Sequence, residues 1–289
     1  MLVNMKDLLS VAKKQYFAVP AFNIGTGQIL KAVIECCEEK KAPVIFAIHP
    51  LELEFQGDSF MASCVATAQK AKVPVCIHMD HSSKIDQIMR AVRTGFTSVM
   101  IDASHESFED NVAITKKVVE LVHPLGISVE AELGTIGTTG NDKEGGTDEI
   151  IYTNPDDAVK FVEQTGIDCL AIAIGTAHGI YPKGFKPELK LDLLSEIKSK
   201  VSVPIVLHGG SANPDVEIAE SVKRGVNKIN ISSDIKDALY QRLRKTLSDD
   251  PKVREPFELY LDSLDAMKEV VRQKIDLFND ADKVKYYSL

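Results

Sequence analysis

Three histidines stand at the ends of three short apolar runs in different parts of the chain. They are His81, His178 and His208, and each run is rich in valine, isoleucine or alanine. Runs of this kind are typical of buried parallel strands. Imidazoles that converge from three strands leave a fourth position open on a bound ion, which is the pattern of a catalytic zinc site. One such histidine alone would more often be a core residue, but three on separate strands favour the metal site.

Carboxylates also lie at the ends of predicted strands. Asp80 directly precedes His81. Beside a divalent cation it could transfer protons, although it could instead cap a helix that begins near Ser83. Asp102 and Glu132 end two further strands and could orient a ligating histidine or offer a second metal position. The alternative for both is a carboxylate at the mouth of the fold with no metal role.

Two segments have a composition that suits phosphate. One is His208-Gly-Gly-Ser211, and the other is Asn230-Ile-Ser-Ser233, which opens a predicted helix. Glycine lets backbone N–H groups approach an anion, and a helix start adds partial positive charge. Each segment alone is a weak signal, because Ser232 or Ser233 could simply cap the helix. Together they favour a phosphate site, since barrel enzymes frequently bind phosphate after strands seven and eight.

The elements that would position these residues alternate along the whole chain. Strands are predicted over 17–23, 43–47, 73–79, 98–102, 128–133, 169–175, 204–208 and 228–231. Helices are predicted over 28–39, 60–70, 85–93, 111–122, 156–164, 190–199, 216–224 and 234–246. Four helices run into Gly95, Gly126, Gly166 or Gly225 just before the next strand, as expected of glycine helix ends. Eight such units predict a (β/α)8 TIM barrel, with a doubly wound open sheet as the alternative.

Two segments depart from this alternation. The stretch 134–148 is glycine-rich and polar, and loops of that length are usually active-site lids or disordered. We expect residues 1–250 to form the barrel and residues 251–289 to form a helical appendix, with its helix over 261–278. This appendix would pack on the barrel or on a neighbouring subunit.

Composition excludes several classes of protein. The 289 residues are 44% hydrophobic and carry a net charge of −8, without a basic tract that nucleic acid would need. No apolar stretch approaches the ~20 residues of a membrane span, and no signal peptide is expected. The five cysteines form no CxxC pair, so we expect reduced, buried thiols in a cytoplasmic protein.

Several motifs together resemble the class II, metal-dependent ketose-bisphosphate aldolases. The resemblance covers nearly the full length. The Tyr152-Thr-Asn-Pro155 segment and Lys236 resemble the tagatose-bisphosphate branch more than the fructose-bisphosphate branch. The motifs are Pro20-Ala-Phe-Asn23, His78-Met-Asp-His81, Ser98 to His105, Val129-Glu-Ala-Glu-Leu-Gly134, Tyr152-Thr-Asn-Pro155, Ala173 to Gly179, Leu207-His-Gly-Gly-Ser211 and Lys228-Ile-Asn-Ile-Ser-Ser233.

The resemblance implies a role for each matching residue. His81, His178 and His208 would hold zinc, and Asp80 would be the acid/base at the aldehyde oxygen. The residues implied to bind substrate, chiefly its dihydroxyacetone phosphate half, are Asn23, Gly179, Gly209, Gly210, Ser211, Asn230, Ile231, Ser232 and Ser233. Backbone oxygens near Gly179 and Ser211 would also hold a monovalent cation, Na⁺ or K⁺, as in relatives. Homodimers or homotetramers are implied as well.

The chain also departs from the family pattern. Relatives carry an acidic pair in the loop after strand five, where this chain has Thr138-Thr-Gly-Asn141, so Asp142 or Glu144 would have to substitute. His49 takes the place of a small residue that helps to hold phosphate in relatives. Aldolases can instead use a Schiff-base lysine, but Lys228 stands at the wrong end of its strand for that role.

The departures leave three functions open. The leading hypothesis is reversible cleavage of a ketose 1,6-bisphosphate to dihydroxyacetone phosphate and an aldehyde. A second is an aldolase for a different phosphorylated sugar or sugar acid, and a third is a weakly catalytic binding or regulatory subunit. A metal hydrolase fits less well, because it gives no reason for the two phosphate segments.

Overall fold

The computed structural model describes residues 1–140, 146–185 and 187–288, whose central feature is a closed barrel of parallel strands. The strands in these residues are β1 (Val19–Asn23), β2 (Val44–Ile48), β3 (Val75–Ser82), β4 (Ser98–Ile101), β5 (Ser128–Leu133), β6 (Gly137–Thr138), β7 (Cys169–Ile172), β8 (Ala177–His178), β9 (Ile205–Leu207) and β10 (Val226–Ile231). Eight of them close in the order β1-β10-β9-β7-β5-β4-β3-β2, while β6 pairs with β8. The predicted barrel is confirmed, and the open sheet is excluded.

Helices connect the barrel strands. In the described residues they are α1 (Met5–Gln15), α2 (Gly27–Lys40), α3 (Pro50–Gln56), α4 (Asp58–Lys70), α5 (Ile85–Thr94), α6 (Phe108–Val122), α7 (Pro155–Thr165), α8 (Leu191–Lys200), α9 (Asp215–Lys223), α10 (Ser233–Asp249) and α11 (Pro256–Leu277). Two short 3-10 helices cover His123–Leu125 and Lys283–Tyr286. All predicted helices are present with shifted ends, whereas α1 and α3 lie outside the predictions. Within the described ranges, no helix has the length and apolar character needed to cross a membrane.

Alternating residues of the strands serve two separate apolar layers. In β2, Phe46 and Ile48 pack in the layer between strands and helices, while Ile45 and Ala47 belong to a second cluster with residues of other barrel strands. Both faces of such a strand are buried, so its sequence is a continuous apolar run. This double burial is why the strands are recognisable from sequence.

Helix α1 covers the end of the barrel where the strands begin. Met5, Leu8 and Leu9 are fully buried and pack in the same cluster as Ile45. Their spacing places them on one face of the helix. Burial of each side chain contributes about 1.5–3 kcal/mol. The residues with chemistry therefore have to be reached from the opposite end.

The C-terminal helix rests on the barrel helices of the same chain. Helix α11 packs against α2 and α10. Met267, Val271 and Ile275 are fully buried, and Lys274 Nζ lies 2.7 Å from Asp234 Oδ2 on α10. The helix therefore packs on the barrel helices of its own chain, while a contact with a neighbouring subunit stays a prediction. The division of the chain into units at residue 250 stays a prediction.

The glycines predicted to end helices have the expected backbone. Gly95, Gly126, Gly166 and Gly225 have φ of +93°, +73°, +72° and +108°. This left-handed region favours glycine, because in other residues the Cβ crowds the adjacent carbonyl oxygen at positive φ. Each glycine turns the chain from a helix toward the next strand.

Candidate active site

The three histidines singled out in the sequence lie together at the C-terminal end of the barrel. His81 belongs to β3, His178 to β8, and His208 follows β9. The ring centroid of His81 lies 4.9 Å from that of His178 and 4.5 Å from that of His208, and the third pair is 6.2 Å apart. All three are buried, and one ring nitrogen of each lies within 4.8 Å of the others. Their role as metal ligands stays a prediction.

Strand β3 is irregular where it carries His81. Its pairing with β4 shifts register between Met79 and Ser82, and His81 has φ +50°. A left-handed conformation outside glycine costs on the order of 1 kcal/mol, and such residues cluster at functional sites. Bulges of this kind re-aim side chains. Here the bulge allows sequence neighbours Asp80 and His81 both to reach the same site.

A carboxylate sets the orientation of the His81 ring. Asp102 Oδ2 lies 2.9 Å from His81 Nδ1. The other ring nitrogen, Nε2, is buried and has no hydrogen-bond partner in the described part of the chain. Buried polar atoms without a partner are rare, and imidazole nitrogen is a common zinc ligand. The donor set of three histidines therefore fits a zinc ion.

Asp102 and Glu132 form a second cluster with His81. One potential ligand atom of each of the three lies within 4.8 Å of the others. Glu132 Oε1 accepts a hydrogen bond from the Ile136 N–H at 3.4 Å, while Oε2 is buried without a partner among the described residues. Burial and the charge of Asp102 raise the pKa of Glu132 to about 8. Both carboxylates thus lie where the sequence predicts a second metal position, and that role stays a prediction.

The surroundings give the histidines different proton affinities. Burial lowers the pKa of His81, but the hydrogen bond to Asp102 and the charge of Asp80 outweigh it and raise the pKa to about 10. Burial and the positive charge on His81 lower the pKa of His208 to about 4. Without metal, the His81 ring is therefore protonated on both nitrogens near neutral pH, and a metal ion would displace one of these protons. His208 is neutral at physiological pH.

Asp80 is fully buried beside the histidines and is held by two amides. Asn23 Nδ2 donates to Asp80 Oδ2 at 3.1 Å, and Asn230 Nδ2 donates to Oδ1 at 3.0 Å. Burial acts to raise the pKa of Asp80, but the positive charges around it, that of His81 first and then that of Lys228, together outweigh burial and hold the pKa well below its usual value. Asp80 does not cap α5, whose N-cap is Lys84. It is an ionised carboxylate in a fixed orientation, as proton transfer requires.

The residues predicted to bind substrate all lie at or just after the C-terminal ends of strands. They are Asn23 at the end of β1, Gly179 after β8, Gly209, Gly210 and Ser211 after β9, Asn230 and Ile231 at the end of β10, and Ser232 and Ser233 at the start of α10. The segment 208–211 is in direct contact with the segment 230–233 and with the first turn of α10. The Gly210 N–H donates to Asn230 O at 3.1 Å, and the Asp234 N–H donates to Ser211 Oγ at 3.2 Å. We call residues 209–211 and 231–233 the cradle.

Asn213 supports the cradle through hydrogen bonds to its backbone oxygens. Its Nδ2 donates to Gly209 O at 2.7 Å and to Ser211 O at 2.9 Å. Its Oδ1 accepts a hydrogen bond from Tyr181 at 3.3 Å. The Ser211 carbonyl, one of the backbone oxygens for which the resemblance implies a monovalent cation, thus already has a hydrogen-bond donor. The sequence departs from the family pattern at Ala212-Asn-Pro214, but that departure does not predict the role of the Asn213 side chain, because its hydrogen bonds are made to backbone atoms.

The segment after β5 is linked to the strand that carries His178. Residues of β6 pair in parallel with β8, and the Thr139 N–H donates to His178 O at 2.9 Å. The part of 134–148 that the structure describes is therefore tied to the site by backbone hydrogen bonds. Asp142 and Glu144, the predicted substitutes for the missing loop carboxylate, lie outside the described residues.

Two residues with open roles lie at the rim of the barrel. His49 is the N-cap of α3, and its Nδ1 accepts a hydrogen bond from the Leu51 N–H at 3.1 Å. Lys236 Nζ lies 3.6 Å from Glu52 Oε1. The helix that positions Glu52 is unpredicted, although Pro50 at its first turn is a known start signal. A contact of His49 or Lys236 with phosphate stays a prediction.

Sequence reasoning missed a buried ion pair beneath the histidines. Glu130 and Lys228 are both fully buried, with Lys228 Nζ 2.9 and 2.8 Å from the two Glu130 oxygens. Glu130 Oε1 also lies 2.7 Å from His208 Nε2. One signal was available, since Glu130 and Glu132 are two residues apart on β5 and so share the inner face.

Comparison with known proteins agrees with this geometry. A family model described as fructose-bisphosphate aldolase class-II matches residues 3–283. The YdjI aldolase from Escherichia coli K12 is similar at 35% identity and a TM-score of 0.85, covering 98% of this chain and 100% of that one. The fold is also shared with the fructose-bisphosphate aldolase (Fba) from Campylobacter jejuni, at 23% identity and a TM-score of 0.81, covering 98% and 97% of the two chains. The resemblance noted in the sequence is confirmed, and the chain is an aldehyde-lyase that belongs to the class II fructose-bisphosphate aldolase family.

Proposed function

We propose that the protein is a zinc-dependent aldolase that reversibly cleaves a ketose 1,6-bisphosphate of the fructose or tagatose type. The products would be dihydroxyacetone phosphate and an aldehyde such as glyceraldehyde 3-phosphate, a reaction of glycolysis or related carbohydrate metabolism. The observation that carries the proposal is the meeting of three buried histidines and an ionised carboxylate at the barrel end that bears the cradle.

The histidine trio would hold the zinc ion in this proposal. Bound there, zinc would act as a Lewis acid and stabilise the negative charge that develops when the C3–C4 bond breaks. Asp102 would orient His81 through its hydrogen bond to Nδ1. With Glu132, Asp102 would also provide the second metal position.

Asp80 would transfer the proton at the aldehyde oxygen. In the cleavage direction it accepts the proton of the C4 hydroxyl, while the electrons of the C3–C4 bond pass to the dihydroxyacetone phosphate half. In the synthetic direction it returns that proton to the aldehyde oxygen. The Asn23 and Asn230 amides keep the carboxylate oriented for both steps. The proton at C3 would come from the segment after β5, where Asp142 and Glu144 are the candidates.

The cradle would bind the phosphate of the dihydroxyacetone phosphate half. Backbone N–H groups of residues 209–211 and the start of α10 suit an anion. Gly179, with φ +98°, would approach the same group from β8. A sodium or potassium ion near Gly179 and Ser211 remains part of the proposal. The Ser211 carbonyl would then contact both the ion and the Asn213 amide N–H that donates to it.

Gly209→Ala is expected to lower kcat/KM by about 100-fold. A misplacement of binding or catalytic groups by about 1 Å can have an effect of that size. Gly209 has φ +63°, and an added Cβ would lie 2.6 Å from the backbone oxygen of Ala177 in β8. The substitution must therefore move the cradle or the strand that carries His178. Steady-state kinetics with fructose 1,6-bisphosphate would measure the effect.

Gly126→Ala provides the matched control for that substitution. Gly126 has nearly the same backbone, φ +73°, but an added Cβ meets no atom within 4 Å. It reports the cost of the left-handed conformation alone, so its kcat/KM should stay near that of the wild type. Equal kinetics for the two variants would contradict the role given to the Gly209 contact.

Metal removal tests the proposed function directly. Dialysis against a strong chelator should abolish cleavage, and added zinc should restore it, since the proposed chemistry needs a Lewis acid. A coupled assay for dihydroxyacetone phosphate and elemental analysis would follow activity and zinc content together. Full activity in the metal-free protein would overturn the proposal.

A substrate panel separates the remaining alternatives. The panel contains fructose and tagatose 1,6-bisphosphates together with phosphorylated sugar acids and deoxy sugars, and the highest kcat/KM identifies the substrate. Turnover by the purified chain without a partner would exclude a regulatory subunit.

Location and assembly complete the proposal. All five cysteines are buried and free, which supports the reducing cytoplasm as the location. We propose a homodimer or homotetramer, a small phosphorylated sugar as the binding partner, and no binding of nucleic acid, in keeping with the net charge of −8.

A further inference from the structure

We propose that Glu130 and Lys228 form a buried positioning pair, which fixes His208 with its proton on Nε2 and so offers Nδ1 to the metal. This inference rests on the proposed function, because it takes the histidine trio as the metal site. It adds two residues that touch neither substrate nor metal and that act through His208.

The first step is the location of the pair. Glu130 lies in the middle of β5 and Lys228 in β10, and both side chains are 0% exposed. Lys228 Nζ contacts both carboxylate oxygens, at 2.9 and 2.8 Å. A buried ion pair is often no more stabilising than apolar side chains of similar size. Its presence inside the barrel therefore points to a role other than stability.

The second step is the contact with His208. Glu130 Oε1 lies 2.7 Å from His208 Nε2. An ionised carboxylate only accepts hydrogen bonds, so Nε2 must be the nitrogen that carries the proton. In a neutral imidazole the other nitrogen, Nδ1, then holds the lone pair. Consistently, His208 Nδ1 lies 3.4 Å from the Asn230 amide nitrogen, which is a donor.

The third step is what holds Glu130 in place. Its second oxygen, Oε2, accepts from Cys169 Sγ at 3.5 Å and lies 3.6 Å from His78 Nε2. The carboxylate is thus contacted by Lys228, His208, Cys169 and His78, and it cannot rotate without breaking several contacts. His78 is in turn placed by Ser98 Oγ, 2.8 Å from its Nδ1.

A comparison within the site supports the assignment. His81 makes the mirror arrangement, with Nδ1 on the Asp102 carboxylate and Nε2 left without a partner among the described residues. In each of these two histidines, one ring nitrogen lies within hydrogen-bond distance of a carboxylate. This nitrogen is Nδ1 in His81 and Nε2 in His208. Carboxylates of this kind fix the ring and raise the basicity of a ligating histidine.

Zinc affinity tests the positioning role. Glu130→Gln should weaken zinc binding by about 10–100-fold, the usual effect of losing such a carboxylate. The dissociation constant is measured by competition with a chromophoric chelator, independently of catalysis. Because Glu130→Gln leaves Lys228 buried without its partner, Glu130→Gln/Lys228→Met is measured as well. It removes both charges and should show the same loss of affinity.

Asp168→Asn is the matched control. Asp168 is 7% exposed, and its Oδ2 lies 2.8 Å from His123 Nε2 while Oδ1 lies 3.3 Å from Lys6 Nζ. It is another carboxylate with a histidine and a lysine, but it precedes β7, away from the trio. The zinc affinity of the Asp168→Asn variant should equal that of the wild type.

The outcomes separate this inference from the proposed function. A wild type that binds no zinc overturns the proposed function and this inference with it. Zinc binding as tight in the folded double variant as in the wild type overturns only the positioning pair. A crystal structure of the zinc-loaded wild type should show His208 bound through Nδ1, and binding through Nε2 would contradict the inference.

Discussion

Asp80→Ala is expected to lower kcat/KM by about 10²–10⁴-fold, the range for loss of a general acid or base. Asp80 is fully buried, and its carboxylate is held in place by hydrogen bonds from the Asn23 and Asn230 amides. Water that enters the vacated space is a much weaker and less oriented proton acceptor. Alanine is preferred to asparagine, because an amide there would face the donor groups of Asn23 and Asn230.

The measurement has to separate proton transfer from metal loss. Asp80 is the sequence neighbour of His81, so zinc content is determined for every preparation by elemental analysis. We expect Asp80→Ala to retain zinc close to the wild-type amount, with the loss confined to kcat. A variant that keeps its zinc and stays within tenfold of wild-type kcat/KM would remove Asp80 from the mechanism.

His178→Ala should remove zinc from the dialysed protein and lower kcat/KM by about 10³-fold or more. The reason is that metal ions stabilise transition-state charge by several kcal/mol, and each 1.36 kcal/mol is tenfold in rate. The remaining two histidines would form an incomplete set for a zinc site that normally has three protein ligands. Zinc content and kcat/KM should fall together.

His105→Ala is the control for that experiment. His105 is exposed and lines the same opening as His81 and Asp102, but it is not part of the trio. Loss of this ring should leave the zinc content unchanged. Retention of zinc by His178→Ala, or its loss from His105→Ala, would show that the ligand set is wrong.

Much of the fold was predictable because burial on both faces of a strand leaves a clear pattern. Runs such as that of β2 are apolar throughout, so all eight barrel strands were found. Helix α1 was missed because its apolar face, with Leu8 and Leu9, serves to cover the barrel floor and has no strand before it. Strands β6 and β8 were missed because two residues each carry no periodicity.

The site was predictable only where residues end strands. His81, His178 and His208 could be grouped because parallel strands bring their C-terminal ends to one face. Glu130 and Lys228 could not be paired, because they lie 98 residues apart and the pairing depends on barrel closure. The roles of Asn213 and Tyr181 depend on loop geometry, which strand and helix periodicity does not report.

Helix α1 covers the barrel end where the strands begin, so in the described residues the histidines face the opposite, C-terminal end. His81 and His178 both line an opening at that end, together with Asp102 and Glu132. A sugar seated in the cradle would stand between the ion and bulk solvent. If the proposed function holds, bound sugar would hinder release of the ion, and an enzyme saturated with substrate should lose zinc to a chelator more slowly than an empty one.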